Sequence, residues 1–314
     1  MTALPSTTDS RIKAPATYGG VHGHAGDGQV SLTLSTEYEF PGRIIRRAQR
    51  FGLFANRNLF WYKSPSEPFN FGDWVGPLLY EARTGRKPYW CTAGRVKWRG
   101  RTVYSVGSIL HMIDHPDRAI VWGSGIIKRD AAITRPREIC AVRGPISRAR
   151  CLELGHGCPE TYGDPAILLP RYLPGKTGNP RYRLGIIPHS VNMEEARKRL
   201  PETSEVLLID VMRPVQDVCR DICDCACTVS TSLHGLIISH AFDVPSAWMG
   251  LAAPLYGDDV KFQDYYASAG LAAPERHQPE PGPFDIGALV EFAHAAPMPE
   301  LARLHDGLLQ SCPF

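Results

Sequence analysis

From residue 184 onward the chain alternates strand-like and helix-like segments, a pattern that few folds can accommodate. Leu184-Gly185-Ile186-Ile187-Pro188 is a short apolar run, followed by a helical stretch over residues 192–200. Val206-Leu207-Leu208-Ile209 comes next, and then Val215, Val218, Cys219 and Ile222 fall at i, i+3, i+4 and i+7, one face of a helix. Cys225-Ala226-Cys227-Thr228-Val229 reads as another strand, Leu233, Leu236, Ile237 and Ala241 as another helical face, and Ser246-Ala247-Trp248-Met249 as a further strand. Strands separated in this way pair in parallel through right-handed crossovers.

An earlier set of strands has the same character: Leu59-Phe60-Trp61-Tyr62, Val103-Tyr104-Ser105-Val106, Ala119-Ile120-Val121-Trp122 and Glu138-Ile139-Cys140-Ala141-Val142. Asn70-Phe71-Gly72-Asp73 leads into Trp74, Val75, Leu78, Leu79 and Ala82, a helical pattern stopped by Gly85, with Asp73 the expected N-cap and Pro77 in the first turn. Another helix is expected over residues 145–154. Residues 170–180, rich in Pro, Gly, Lys and Asn, form the best linker. The expected fold is α/β, with two Rossmann-like domains facing a central cleft. Their expected bounds are 41–175 and 176–283, between a mobile extension over 1–40 and a helical segment over 284–314. A chain of 314 residues is long enough for two cores.

Composition narrows the partners. Thirty-five basic and 32 acidic residues leave a net charge of +3, too little to imply nucleic acid, though suited to anionic small molecules. No apolar run reaches the roughly 18–20 residues that span a bilayer. The polar start of the chain does not resemble a signal peptide, so a cytoplasmic location is expected. Arg43-Ile44-Ile45-Arg46-Arg47-Ala48-Gln49-Arg50-Phe51 is basic and amphipathic. It reads as a surface helix, or as a piece that rests on the inner face of a membrane. The nine cysteines include Cys219, Cys223, Cys225 and Cys227, but no Cys-x-x-Cys pair, so buried thiols are expected rather than a metal site.

The chemistry-bearing residues gather where strands end. Asp73, Ser124 and Arg143 follow strands of the first half; His189, Ser230, Ser232 and His234 follow strands of the second. Parallel sheets bind ligands at that edge. The octet Thr228-Val229-Ser230-Thr231-Ser232-Leu233-His234-Gly235 joins a strand to a helix start, whose N–H groups and dipole suit an anion. Its plainer reading is a capped turn with a surface histidine. Arg143 suits a carboxylate or phosphate, or else a surface ion pair. No G-x-G-x-x-G follows the first strand and no P-loop occurs, which argues against a dinucleotide enzyme.

In order along the chain, Asn70-Phe71-Gly72-Asp73, Trp122-Gly123-Ser124-Gly125, Val142-Arg143-Gly144-Pro145, Gly163-Asp164-Pro165-Ala166, Ile187-Pro188-His189 and Ser230-Thr231-Ser232-Leu233-His234-Gly235 resemble the polysaccharide pyruvyl transferases. The first of these looks most like members that decorate bacterial exopolysaccharides, such as the succinoglycan ketalase type. Where the family pattern often carries Arg, this chain has Ser232. The resemblance implies a glycosyltransferase-B-like (GT-B) fold, with the first domain on the acceptor side and the second on the donor side. It also implies transfer of a pyruvyl group from phosphoenolpyruvate to a sugar, free or lipid-linked, forming a cyclic ketal without a cofactor. On that reading His234, then His189, handles the proton, and Asp73 orients or deprotonates the acceptor hydroxyl. Arg143 and the turn of Ser230, Thr231 and Ser232 hold the anionic ends of the donor, with Gly235, Gly123, Ser124 and Asn70 completing the substrate contacts. Two rivals remain open: a nucleotide-sugar-dependent GT-B glycosyltransferase, and a glycan-binding protein without turnover.

Overall fold

The computed structural model describes residues 58–63, 69–91 and 100–314. The basic stretch 43–51 and the extension expected over 1–40 lie outside them. Among the described residues the fold is α/β with two parallel sheets. The first contains β1 (Asn58–Phe60), β2 (Tyr89–Trp90), β3 (Thr102–Tyr104), β4 (Ala119–Trp122) and β5 (Glu138–Ala141), in the order β2-β1-β3-β4-β5. The second contains β6 (Leu184–Ile187), β7 (Val206–Leu208), β8 (Thr228–Ser230) and β9 (Ser246–Trp248), in the order β7-β6-β8-β9. Every pairing is parallel. β1, β3, β4, β6, β8 and β9 are buried along their whole length, which is why β4 and β6 read as unbroken apolar runs instead of alternating. Strand order reverses between β1 and β3, and again between β6 and β8. Crevices for ligands form at such reversals.

The first helix, α1 (Phe71–Thr84), starts earlier than expected. Asn70, not Asp73, is the N-cap, its side chain accepting from Gly72 N–H at 3.1 Å. Asp73 therefore lies in the first turn and Pro77 in the second. Gly85, at φ +66°, closes the helix through its N–H to Glu81 O at 2.8 Å. α2 (Pro145–Glu153) follows β5, while α3 (Met193–Arg199), α4 (Val215–Cys223) and α5 (Leu233–Ala241) cross between strands of the second sheet. α5 is buried on nearly all sides. Gly235 allows this, since a Cβ there would lie 2.4 Å from Ser230 Oγ and 2.8 Å from Ile187 Cγ2.

One hydrophobic cluster spans both sheets, with Leu59, Trp61, Leu78 and Trp122 on one side, Ile187, Val218, Leu236 and Trp248 on the other, and Ile167 to Leu169 between. The late helices also bridge them. In α6 (Val260–Ser268), the buried Asp264 carboxylate accepts from Ile146 N–H and Ser147 N–H at 2.9 Å, from Ser147 Oγ at 2.6 Å and from Arg143 Nε at 3.1 Å. It thus caps α2, whose own N-cap Gly144 has no side chain to offer. α7 (Ile286–Ala295) covers the second sheet, whereas α8 (Ala302–Gln310) returns to the first, where Trp122 Nε1–H donates to Leu308 O at 3.0 Å. All nine cysteines are free thiols. No helix among the described residues is long and apolar enough to cross a membrane.

Candidate active site

A cleft of about 450 Å³ opens where the carboxyl ends of both sheets meet. Both reversals of strand order feed it. Asn70 and Asp73 arrive after β1, Ser108 after β3, His189 after β6, and Ser232 and His234 after β8. Lys261 of α6 completes the wall. A more open hollow of about 510 Å³, beside Ile146, Trp248 and Ala267, contains none of the expected site residues.

His234 is held by two contacts that sequence reading did not foresee. Its Nε2 faces Asp164 Oδ2 at 3.6 Å, and neither atom has a hydrogen-bond partner among the described residues. Asp164 is fully buried, and its other oxygen accepts from Ala166 N–H at 3.0 Å, so the carboxylate cannot turn away. On the other side, His234 Nδ1 lies where a Cβ on Gly72 would come within 2.1 Å. Nε2 is thus turned to the buried acid, and Gly72 packs against the Nδ1 edge of the ring.

A helix start and a buried ammonium lie together at the cleft. Ser232 caps α5 with its backbone only, and the first helical bond runs from Leu236 N–H to Ser232 O at 3.1 Å. The N–H groups of residues 233–235 precede that bond, at the positive end of the helix dipole. Lys261 is 9% exposed. Burial pulls its ammonium down to about 8, with the Arg143 charge adding to the effect and Asp259 and Asp73 opposing it. Burial likewise holds His189 down at about 4, helped by the charges of Lys261 and His234, so His189 is neutral near pH 7. Its Nδ1 accepts from Val191 N–H at 3.5 Å, which places the ring proton on Nε2.

The remaining expected residues stand behind the cleft. Arg143 is fully buried: Nε donates to Asp264, Nη1 to Ser108 Oγ at 2.7 Å and Nη2 to Ile126 O at 2.7 Å. It supports Ser108 and α6 from beneath and does not line the cavity. Ser230 Oγ lies 3.0 Å from Ile187 O and accepts from Ser232 N–H at 3.0 Å, fixing the turn. Thr231 Oγ1 accepts from His189 N–H at 2.7 Å and donates to Asn192 Oδ1 at 3.0 Å, so it positions His189. Ser124 Oγ donates to Gly107 O at 2.9 Å. Gly123 and Gly235 serve close packing, Gly123 against Pro165, which a Cβ would meet at 2.3 Å. Asn70, Asp73, His189, Ser232 and His234 do share the cavity. Lys261, which lines the cleft, and Asp164, which faces His234, are the residues that sequence reading left out. Asp164 stood within a quoted motif without a role, and Lys261 sits on a helix that was not foreseen.

These features define an α/β protein of Rossmann-like parallel sheets with one cleft at their carboxyl ends. The description "Polysaccharide pyruvyl transferase" matches residues 74–251, and the chain belongs to that family, whose members are transferases acting on polysaccharide. "Uncharacterized protein L143" of Acanthamoeba polyphaga mimivirus is 29% identical over 210 residues, which cover 64% of this chain and 71% of that protein. No solved structure matches the chain.

Proposed function

We propose that this protein transfers the pyruvyl group of phosphoenolpyruvate to two hydroxyls of one sugar, free or lipid-linked, forming a cyclic ketal and releasing phosphate. The observation that carries this reading is one cavity holding an imidazole backed by a buried carboxylate, beside a buried ammonium and a helix start. Phosphoenolpyruvate has two anionic ends on an enol, and its reaction begins with a proton. Lys261 and the N–H groups at the start of α5 hold the phosphate and carboxylate. His234, oriented by Asp164, gives a proton to the methylene carbon. The first sugar oxygen bonds to C2 as that carbon loses its double bond. The bond from C2 to the phosphate oxygen then breaks, and the second sugar oxygen takes its place. Of the two hydroxyl protons lost, one balances the new methyl group and the other leaves with phosphate. Asp73 orients or deprotonates the attacking hydroxyl, and neutral His189 donates from Nε2. The two sheets act as a GT-B-like pair, the first on the acceptor side and the second on the donor side.

His234→Asn tests the assignment through phosphate release from phosphoenolpyruvate with a sugar acceptor. A positioned acid contributes about 10²–10⁴-fold. A loss in that range with phosphoenolpyruvate still bound supports the reading, and an unchanged rate refutes it.

A further inference from the structure

The rim of the cleft carries two tyrosines that the chemistry at its floor does not use. Tyr62 is 44% exposed and Tyr256 is 70% exposed, and both line the cleft, Tyr62 after β1 and Tyr256 after β9. Neither ring is loosely mounted. Tyr62 is flanked by Trp61, which is buried, and by Lys63, whose Nζ lies 5.2, 5.0 and 4.5 Å from the ring centroids of Trp61, Trp74 and Trp90. With its neighbours anchored in that cluster, Tyr62 stands exposed at the cleft. Tyr256 precedes Gly257, at φ +115°, where a Cβ would come within 2.6 Å of Ile127 O. Asp258 Oδ2 accepts from Arg129 N–H at 2.8 Å, which pins the same loop to the segment after β4. Lys128 Nζ stands 4.7 Å from the Tyr256 ring centroid.

A pyranose presents a flat face of axial C–H groups and an edge of hydroxyls. The face packs on an aromatic ring while the edge makes hydrogen bonds, a division that tyrosine matches with its apolar body and polar tip. We infer that Tyr62 and Tyr256 form the acceptor subsite, stacking the pyranose whose hydroxyl pair is presented to the cleft floor. The inference rests on the proposed pyruvyl transfer for the identity of the bound sugar as acceptor. It adds the place of that sugar and the means of its recognition.

Two measurements on the full chain test it. Steady-state rates are compared for the wild type, Tyr62→Ala, Tyr256→Ala and the two Phe variants. Each truncation is expected to raise the acceptor KM about tenfold without raising that for phosphoenolpyruvate, and Phe is expected to restore it. Saturation-transfer NMR with methyl glucoside, galactoside and mannoside, in the absence of phosphoenolpyruvate, reads the sugar contact directly. Strong transfer to ring C–H protons in the wild type, lost in the Ala variants and kept with Phe, supports the subsite. Equal transfer in the Ala variants, or none in the wild type, overturns it. A wild type that binds a glycoside through these rings yet leaves phosphoenolpyruvate intact keeps the subsite and refutes the donor.

Discussion

A methyl group at position 72 would meet the His234 ring at 2.1 Å, so a glycine in the first half fixes where an imidazole of the second half can sit. Gly72→Ala is expected to push the ring out of line, and a misplacement of about 1 Å can cost roughly 10²-fold. Activity should collapse, and the melting temperature should fall as well, since overpacking of this kind costs about 1–3 kcal/mol. Asp164→Asn removes the charge behind Nε2 and is expected to lower kcat about 10–100-fold, the range for one contact to a charged group. Lys261 is the group for pH. Because burial brings it to about 8, its positive charge is present at pH 7 and lost as pH rises through about 8. The dissociation constant for phosphoenolpyruvate should rise across that interval. Lys261→Met should raise it about 10–100-fold and flatten its pH dependence. The structure brings His189, His234 and Asp73 to one cleft, and at this scale the sequence showed which residue types follow strands. It could not show which face inward. Arg143 and Ser230 occupy the same kind of position as His234, yet their polar atoms turn to Asp264 and to Ile187 O. Only packing from elements far along the chain decides between those outcomes.

Among the elements, the central strands and crossover helices were legible because buried parallel strands read as apolar runs and amphipathic helices carry a strong periodic signal. β2, with two residues, is too short to carry one. α6 mixes Lys261 and Asp264 into a buried face, so its polar residues break the pattern that would reveal it. Those same residues are what α6 contributes: Asp264 caps α2 and neutralises Arg143, and Lys261 enters the cleft. Asp264→Ala would leave a fully buried guanidinium without its counter-charge, and breaking such a pair costs roughly 3–5 kcal/mol. A marked fall in the urea midpoint is expected. If the midpoint is unchanged, Asp264 does not join α6 to α2 in the way described.

Among the described residues, one hydrophobic cluster spans the two sheets, and the cleft opens at their carboxyl ends. Buried histidines make that arrangement sensitive to acid. His240 Nε2–H donates to Ser246 O at 3.0 Å, which leaves Nδ1 to accept from Tyr265 Oη–H at 3.0 Å, and burial holds the ring down at about 4, as it does His189. His111, His277 and His305 are shifted in the same direction by burial. The unfolded chain takes up these protons below about 6.5, whereas folded His189 and His240 resist until about 4. Stability is therefore complete above pH 6.5 and lost as pH falls toward 4, by on the order of 3 kcal/mol for His240 alone. Melting temperatures at pH 7.5 and pH 5 should show the drop. The most direct test of the proposed reaction is NMR of the full chain with phosphoenolpyruvate and the glycoside panel in deuterium oxide. The account expects phosphate and a sugar ketal in equal amounts, with one deuterium in the ketal methyl group. Phosphoenolpyruvate left intact, with or without consumption of a UDP-sugar, would contradict it.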